Sequence, residues 1–358
     1  MNGQRRSPFP NSGEMGKRMQ ALDWAQTPVG SVESWSQSLK STVRTLLGSR
    51  YPMILLWEQE LIQIYNDAYI NLIGTKHPGA LGCSIRQTLA ESWDVIGPMI
   101  TQVMTTGIPN WVEDQMLAVN RAGYNEEAHF SLSYSAVEDD EGVIRGMLCV
   151  CSEVTIQVLG ERRLRLQRDL TAQAGETRSV EATCTDILAA IAEYPLDVPF
   201  ALIYLGEPDD LTLRLCGSVK VDTNEEIAPT TVAIESSADL WSFPQVMAGD
   251  TAIVEGLDRY ITIPGGPWGE RVHQAIALPI PSSNVSAPLG VLIAGIVPTV
   301  LWMKATNRST NFWRARFRFL SAMPRPMRKN AAAPRCWQKL IGRRQSSSQM
   351  SATNFAHH

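Results

Sequence analysis

Cysteines, histidines and acidic clusters are where this sequence could hold chemistry, and each has a plain structural reading beside the reactive one. Cys149 and Cys151 stand two residues apart, a spacing that puts both sulfurs on one strand face and could hold a soft metal if further ligands converged. No ligand cluster accompanies them, so they read as buried packing. The segment GGPWG, Gly265–Gly269, has neither the GxGxxG nor the GxxxxGK[ST] spacing that wraps backbone amides around a phosphate, and it reads as a structural loop. The acidic run Glu138–Glu141 offers oxygens for a cation, yet its place between two strand patterns makes it a solvated hairpin. His77, just before Pro78, is a lone loop histidine of the kind that bonds backbone or solvent. No assembled catalytic site and no metal site is read from these residues.

The elements that must position such residues belong to an ordinary globular chain. With 358 residues, 44% hydrophobic and 19% charged, there is apolar material for two cores. The six cysteines (Cys83, Cys149, Cys151, Cys184, Cys216 and Cys336) form no CxxC pair and no compact framework, which fits a reducing cytoplasm. The N-terminal MNGQRRSPFPNSGEMGKR is not followed by the apolar stretch of a signal peptide. The longest apolar run, Leu289–Met303, is interrupted by Pro298 and falls short of the roughly 20 residues that cross a bilayer. It reads as a core strand, and a cytoplasmic protein without a membrane span is expected.

The net charge of -4 hides a division. Twelve of the 32 Lys and Arg lie in Lys304–Arg344, where there is no Asp or Glu, leaving 20 basic against 36 acidic residues before Lys304. Such a tail is one form of a polyanion-binding arm, because clustered cations gain from displacing counterions.

Along the chain, residues 1–20 are polar and expected to be disordered. Trp35, Leu39, Val43 and Leu46 recur at helical spacing, with Ser31 as the expected cap. Met53–Trp57 and Leu61–Tyr65 read as a hairpin, Asn66 opens a short helix that Gly74 closes, and Ile85–Thr106 carries one long helical pattern. Three strands follow, Asn110–Val119, Glu127–Val137 and Val143–Val154. Phe130, Leu132, Tyr134 and Ala136 alternate with His129, Ser131, Ser133 and Ser135, so one face packs and the other stays polar. Leu159, Leu166 and Leu170 form a short stripe that either pairs with a second copy or belongs to a plain interdomain helix. A second pattern then begins with a helix at Val180–Ala192, strands at Phe200–Leu205 and Leu211–Ser218, a long irregular stretch, and strands at Gln274–Ile280 and Gly290–Ile296.

The segments DWAQTPVG, WSQSLKSTV, RYPMILLW, IYNDAYINLIGTKHP, WDVIGPMI, FSLSYSAVEDDEG and VLGERRLR, in this order, resemble the PAS module of a bacterial family of multi-domain sensor histidine kinases. The second pattern resembles a GAF domain. The resemblance implies an α+β chain. Its expected parts are a disordered N-terminus (1–20), a PAS domain with an N-terminal helix (21–155), a linker helix (156–175), a GAF domain incomplete at its C-terminus (176–301) and an aberrant, disordered basic tail (302–358). It also implies a five-stranded antiparallel sheet with helices on one side around a small pocket. Trp57, Tyr65 and Phe130 are the candidates to line that pocket for an unidentified small ligand, core packing being their other role. The cysteine motifs that attach flavin or bilin in light-sensing relatives are not seen, and no cofactor is evident.

After GVLIAGI the family pattern calls for a last GAF helix, a charged helix and an SHEFRTP-like box carrying the phosphorylated histidine. Codons can be chosen for SQMSATNFAHH so that a shifted frame reads NVSHEFRTP. The same offset lets MRKNAAAPRCWQKLIGRRQSSS become EEERRRAEVLAEIDRAKTVFF. A frameshift near Pro298–Trp302 is therefore expected, with the basic charge as its by-product and with His357 and His358 no phospho-acceptors. By resemblance the intact parent uses ATP to phosphorylate itself and passes the phosphoryl group to a response regulator, whereas this chain is expected to lack kinase activity. A homodimer, or pairing with a related sensor kinase, is the expected association. Two other readings stand beside this one: a stand-alone regulator that binds nucleic acid through the basic tail, and a PAS–GAF sensor for a non-kinase output.

Overall fold

The computed structural model describes residues 9, 13–121, 125–174, 179–206, 211–222, 226–235, 240–268, 270–281 and 288–297. The expectations for the basic tail, the frameshift junction and the last residues of the second domain lie outside these. The chain divides between Leu159 and Gly160 into two compact units.

The first unit is built on strands β1 (Met53–Trp57), β2 (Ile62–Tyr65), β3 (Asn110–Asn120), β4 (Asn125–Glu138) and β5 (Ile144–Glu153). They form one antiparallel sheet in the order β2-β1-β5-β4-β3. Its helices are α1 (Gly13–Ala21), α2 (Gln37–Gly48), α3 (Ile70–Ile73), α4 (Ile85–Thr88) and α5 (Trp93–Thr106). Strand β1 is buried at every position, so its alternation feeds two cores. Ile54 and Leu56 join the core under α3–α5, whereas Met53, Leu55 and Trp57 pack with Trp24, Trp35, Leu39 and Val43. Helices thus cover both faces, not one as expected. Gly146, opposite Trp57, leaves the space for that indole, since a Cβ there would lie 2.4 Å from the ring.

Several local expectations change for identifiable reasons. Gly13–Ala21 is a helix, not disordered, because Met15 and Met19 are fully buried and Asp67 accepts from the amides of Glu14 and Met15 at its N-terminus. Ser36 rather than Ser31 caps α2, its hydroxyl accepting from the Leu39 amide. Asp140 accepts from the free amides of Gln37 and Ser38 in the same first turn, so the acidic hairpin works as a second cap. The long helix expected from Ile85 breaks at Leu89, which leaves helical geometry at φ -120° and ψ 41°. Beyond the break Ser92 donates to the Ala118 carbonyl and Glu91 accepts from the Asn120 amide, tying this turn to β3 at the expense of helical continuity.

The second unit begins within α6 (Thr155–Ala174) and continues with α7 (Val180–Ala192), β6 (Ala201–Gly206), β7 (Thr212–Val219), β8 (Thr231–Ala233), α8 (Phe243–Met247), β9 (Ala252–Glu255), β10 (Gln274–Ile280) and β11 (Gly290–Ile296). Its antiparallel sheet has the order β8-β7-β6-β11-β10-β9. Alternation again divides the core: Ala201, Ile203 and Leu205 face α6 and α7, whereas Phe200, Leu202 and Tyr204 face Trp241, Phe243 and Val246. The stretch expected to be irregular supplies β8, α8 and β9, elements too short to leave a period. Leu166 and Leu170 are fully buried in this unit's own core, which removes them from the stripe proposed for pairing with a second copy.

Asn66 is the tightest polar joint of the first unit. Its buried amide nitrogen donates to the carbonyls of Leu46, Ser49 and Tyr51, while its oxygen accepts from the Met53 and Tyr69 amides. One side chain therefore joins the end of α2, the start of β1 and the turn after β2. Asn66→Ala leaves these backbone groups without their partner and should lower stability by roughly 2–4 kcal/mol, read from the urea midpoint of the first unit. A change below about 0.5 kcal/mol would show that water replaces the amide.

Candidate functional site

Between the sheet of the first unit and α3–α5 lies a cavity of about 60 Å³. Four strands supply its floor: Ile54 of β1 opposes Cys149 of β5 and Leu56 opposes Met147, on the other side Tyr134 of β4 opposes Cys149 and Leu132 opposes Cys151, and β3 adds Leu117 and Val119. Leu72 and Ile73 from α3 and Ile96 and Ile100 from α5 close the roof. The chamber is apolar apart from a few atoms. The Ser92 hydroxyl is engaged by the Ala118 carbonyl, but among the described residues no protein group bonds the hydroxyls of Tyr69 or Tyr134. Burial raises both phenols, so they stay protonated and able to donate. The Cys149 thiol is likewise raised, by its hydrogen bond with Cys151 and by burial.

This arrangement can hold a compact, mainly apolar molecule and orient it with one or two hydrogen bonds. A water needs roughly 10–15 Å³ of such space, and pockets for drug-sized ligands run to about 300–1,000 Å³, so the chamber suits a small guest. Among the described residues no group of three His, Cys, Asp or Glu side chains converges for a metal ion.

The three expected pocket residues separate. Phe130 lines the cavity. Tyr65 shares that face of the sheet but lies outside the lining, on β2, where its hydroxyl is 3.0 Å from His77 Nδ1 and burial pushes it up to about 12. Trp57 is a correction: the two-residue period of β1 turns it to the opposite face, against α2. His77 bonds side chains rather than backbone or solvent, with Nε2 3.0 Å from Glu14 Oε1. Cys149 and Cys151 are buried as expected, but as cavity wall. Asp139 accepts from the amides of Glu141 and Val143 and from Arg145, so its oxygens serve the hairpin itself. Sequence reasoning missed Tyr69, which sits on a short turn with no period, and it placed Tyr134 on the packed face without assigning it to the pocket.

The two strand orders and their helical covers define the class, an α+β chain with a PAS-type unit followed by a GAF-type unit. No protein-family model matches the chain, and no curated protein matches it. Solved structures resemble parts of it. The PAS domain of Bordetella pertussis BvgS is 17% identical, covering 36% of this chain and 96% of that one, with a TM-score of 0.26. The A. aeolicus nlh2 GAF domain in an inactive state is 15% identical over 46% and 94%, with a TM-score of 0.34. An RNA-binding light-oxygen-voltage receptor is 18% identical over 33% of each chain, so the likeness spans a third of that protein, with a TM-score of 0.28.

On the face of β4 opposite Phe130, His129 departs from the expectation of a solvated polar row. It is buried, with Nδ1 2.6 Å from Asp114 and Nε2 3.0 Å from Glu127. The register shift between Val112 and Gln115 places Asp114 in the irregular part of β3 beside it. The His129 amide donates to the hydroxyl of Thr155, the first residue of α6, and that hydroxyl donates to Glu153. Arg121 completes the group by pairing with Glu126 at 3.0 Å and with Glu153 at 2.8 Å.

Burial opposes charge on His129, but the hydrogen bonds to Glu127 and Asp114 outweigh it and hold the imidazole above its ordinary value of 6.5. A histidine raised in the folded state stabilises fully below its unfolded value and loses that contribution as pH rises through the folded one. The urea midpoint of the first unit should therefore fall as pH rises from 6.5, and His129→Gln should remove that part of the slope. Equal slopes in the two proteins would contradict the charge assignment.

Proposed function

We propose that this chain is a signal-sensing module in which the first unit takes a small, mainly apolar ligand into its cavity. One observation carries this reading: an apolar cavity lined by two tyrosines, Tyr69 and Tyr134, whose hydroxyls no described protein group bonds. Buried polar groups without protein partners are what a ligand or water satisfies, and a cavity costs stability that packing would otherwise recover. Ligand contacts on β4 and β5 lie one residue from His129 and two from Glu153, the groups that hold the start of α6. Occupancy is thus placed to alter how that helix begins.

The finer proposal is that the module is the sensory part of a two-component sensor histidine kinase in the cytoplasm, associating as a homodimer or with a related kinase. In this proposal ATP and a response regulator serve the kinase region, not the PAS-type and GAF-type units. The family-like segments from DWAQTPVG to VLGERRLR, and the codon choices for SQMSATNFAHH that let a shifted frame read NVSHEFRTP, support this context. Among the described residues no helix is long and apolar enough to cross a membrane, as this proposal requires.

Sequencing the gene from the GVLIAGI codons onward should find NVSHEFRTP followed by an ATP-binding domain, in the same frame or after a one- or two-base correction. Purified chain incubated with labelled ATP should remain unlabelled. A downstream region that encodes no kinase in any frame, or phosphate incorporated by this chain, would overturn the kinase reading.

A further inference from the structure

Two cysteines far apart in sequence meet in the second unit. Cys184 lies on α7 and is fully buried, whereas Cys216 lies on β7 and is half-buried against the same core. Helix and strand are in direct contact at this point. A Cβ on Gly217 would stand 2.7 Å from Leu188 Cδ1, and Cys184 is one helical turn before Leu188 on the same buried stripe. Both side chains pack at the same core between α7 and the sheet, close enough for each thiol to perturb the other.

Their surroundings give them different roles. The donor from Cys184 favours the Cys216 thiolate, as does the charge of Arg214, and together these outweigh the opposing effects of burial and Glu181. Cys184, deeper and sharing the proton with its partner, is held as a thiol. A half-buried, thiolate-prone sulfur beside a deeper second sulfur is the arrangement of an attacking and a resolving cysteine. The remaining free cysteines among the described residues differ: Cys149 and Cys151 are buried on a single strand face, and the Cys83 thiol donates to the Gly79 carbonyl.

We propose that Cys184 and Cys216 form a reversible disulfide in response to a hydroperoxide. The Cys216 thiolate attacks a peroxide oxygen, the O–O bond breaks, and the sulfur becomes a sulfenic acid as the leaving oxygen takes up a proton. Cys184 then attacks that sulfur, the S–O bond breaks and water leaves with the Cys184 proton. In balance, two thiols and one hydrogen peroxide give one disulfide and two waters. The bond fastens α7 to β7 on the face of the sheet where Leu166 and Leu170 of α6 are buried, so oxidation stiffens the helical layer of the GAF-type unit. In a reducing compartment such a bond is transient, as a sensor requires.

Trypsin cleaves after Arg214 and so separates the two cysteines, leaving Cys184 in Ser179–Arg214 and Cys216 in Leu215–Lys220. The full chain, reduced and then treated with stoichiometric hydrogen peroxide, should lose two thiol equivalents and yield these two peptides joined, with both effects reversed by dithiothreitol. Cys184→Ser should leave Cys216 as a sulfenic acid trapped by dimedone, and Cys216→Ser should abolish the response. Mapping the unmodified chain decides the matter even if a variant folds poorly. Recovery of both peptides unlinked after peroxide, or linkage of Cys216 to Cys336 or to a second chain instead, would overturn the proposal.

Discussion

The two-residue period of a strand buried on both faces is the constraint on which the rest of this protein depends. In β1 every side chain is covered, so alternate residues must serve different cores. Ile54 and Leu56 face the cavity, and Met53, Leu55 and Trp57 face the N-terminal helices. The same division runs through β6, with Ile203 towards α7 and Tyr204 towards Phe243. A slip of one residue would exchange the faces completely. The cavity is therefore fixed less by any one of its lining residues than by the register of three strands, Ile54 with Cys149 and Cys149 with Tyr134.

That register is held at its ends by polar side chains acting on backbone. Asn66 collects five backbone groups from three elements, Asp140 and Ser36 satisfy the first turn of α2, and Asp67 does the same for α1. Each bond alone contributes about 1 kcal/mol, but a buried backbone group left without a partner costs more than the bond gains. The result is a set of fixed junctions at the ends of α1, α2 and β1, beside the sheet whose other face borders the cavity. The opposite arrangement holds in the second unit, where Trp241 and Phe243 fill the far face and the Trp241 indole donates to the Ile227 carbonyl. The first unit thus has the space for a guest, and the second has the paired thiols.

Much of this fold is legible in the sequence because long amphipathic elements leave a period. The strands of the first sheet, β6, β7, β10 and β11 of the second, the Val180–Ala192 helix and the Asn66 turn emerge from apolar spacing and turn chemistry alone. What escapes is set by contacts between distant segments. The Leu89 break comes from bonds to β3, the α1 helix from Asp67, and the burial of Leu166 and Leu170 from a core assembled later in the chain. The site divides in the same way. Phe130 follows from alternation, but applying the same period to Met53–Trp57 excludes Trp57 once Ile54 and Leu56 are assigned to the cavity. Cys149 and Cys151 have the right spacing to share a face, yet only the register shows that the face is a cavity wall. Cys184 and Cys216 have no motif between them, and the packing of a helix on a strand is what brings them together.

The central claim is that the chamber of the first unit exists to be occupied. It is tested most directly by thermal-shift screening of the full chain against small apolar compounds bearing one hydroxyl or carbonyl, with Leu117→Phe, a variant whose larger ring fills the cavity, screened in parallel. At least one compound should raise the melting temperature of the native chain and leave that of the variant unchanged. If no compound stabilises the native chain, or if every stabilising compound acts equally on both proteins, the cavity is a packing void and the sensory account of this unit is wrong.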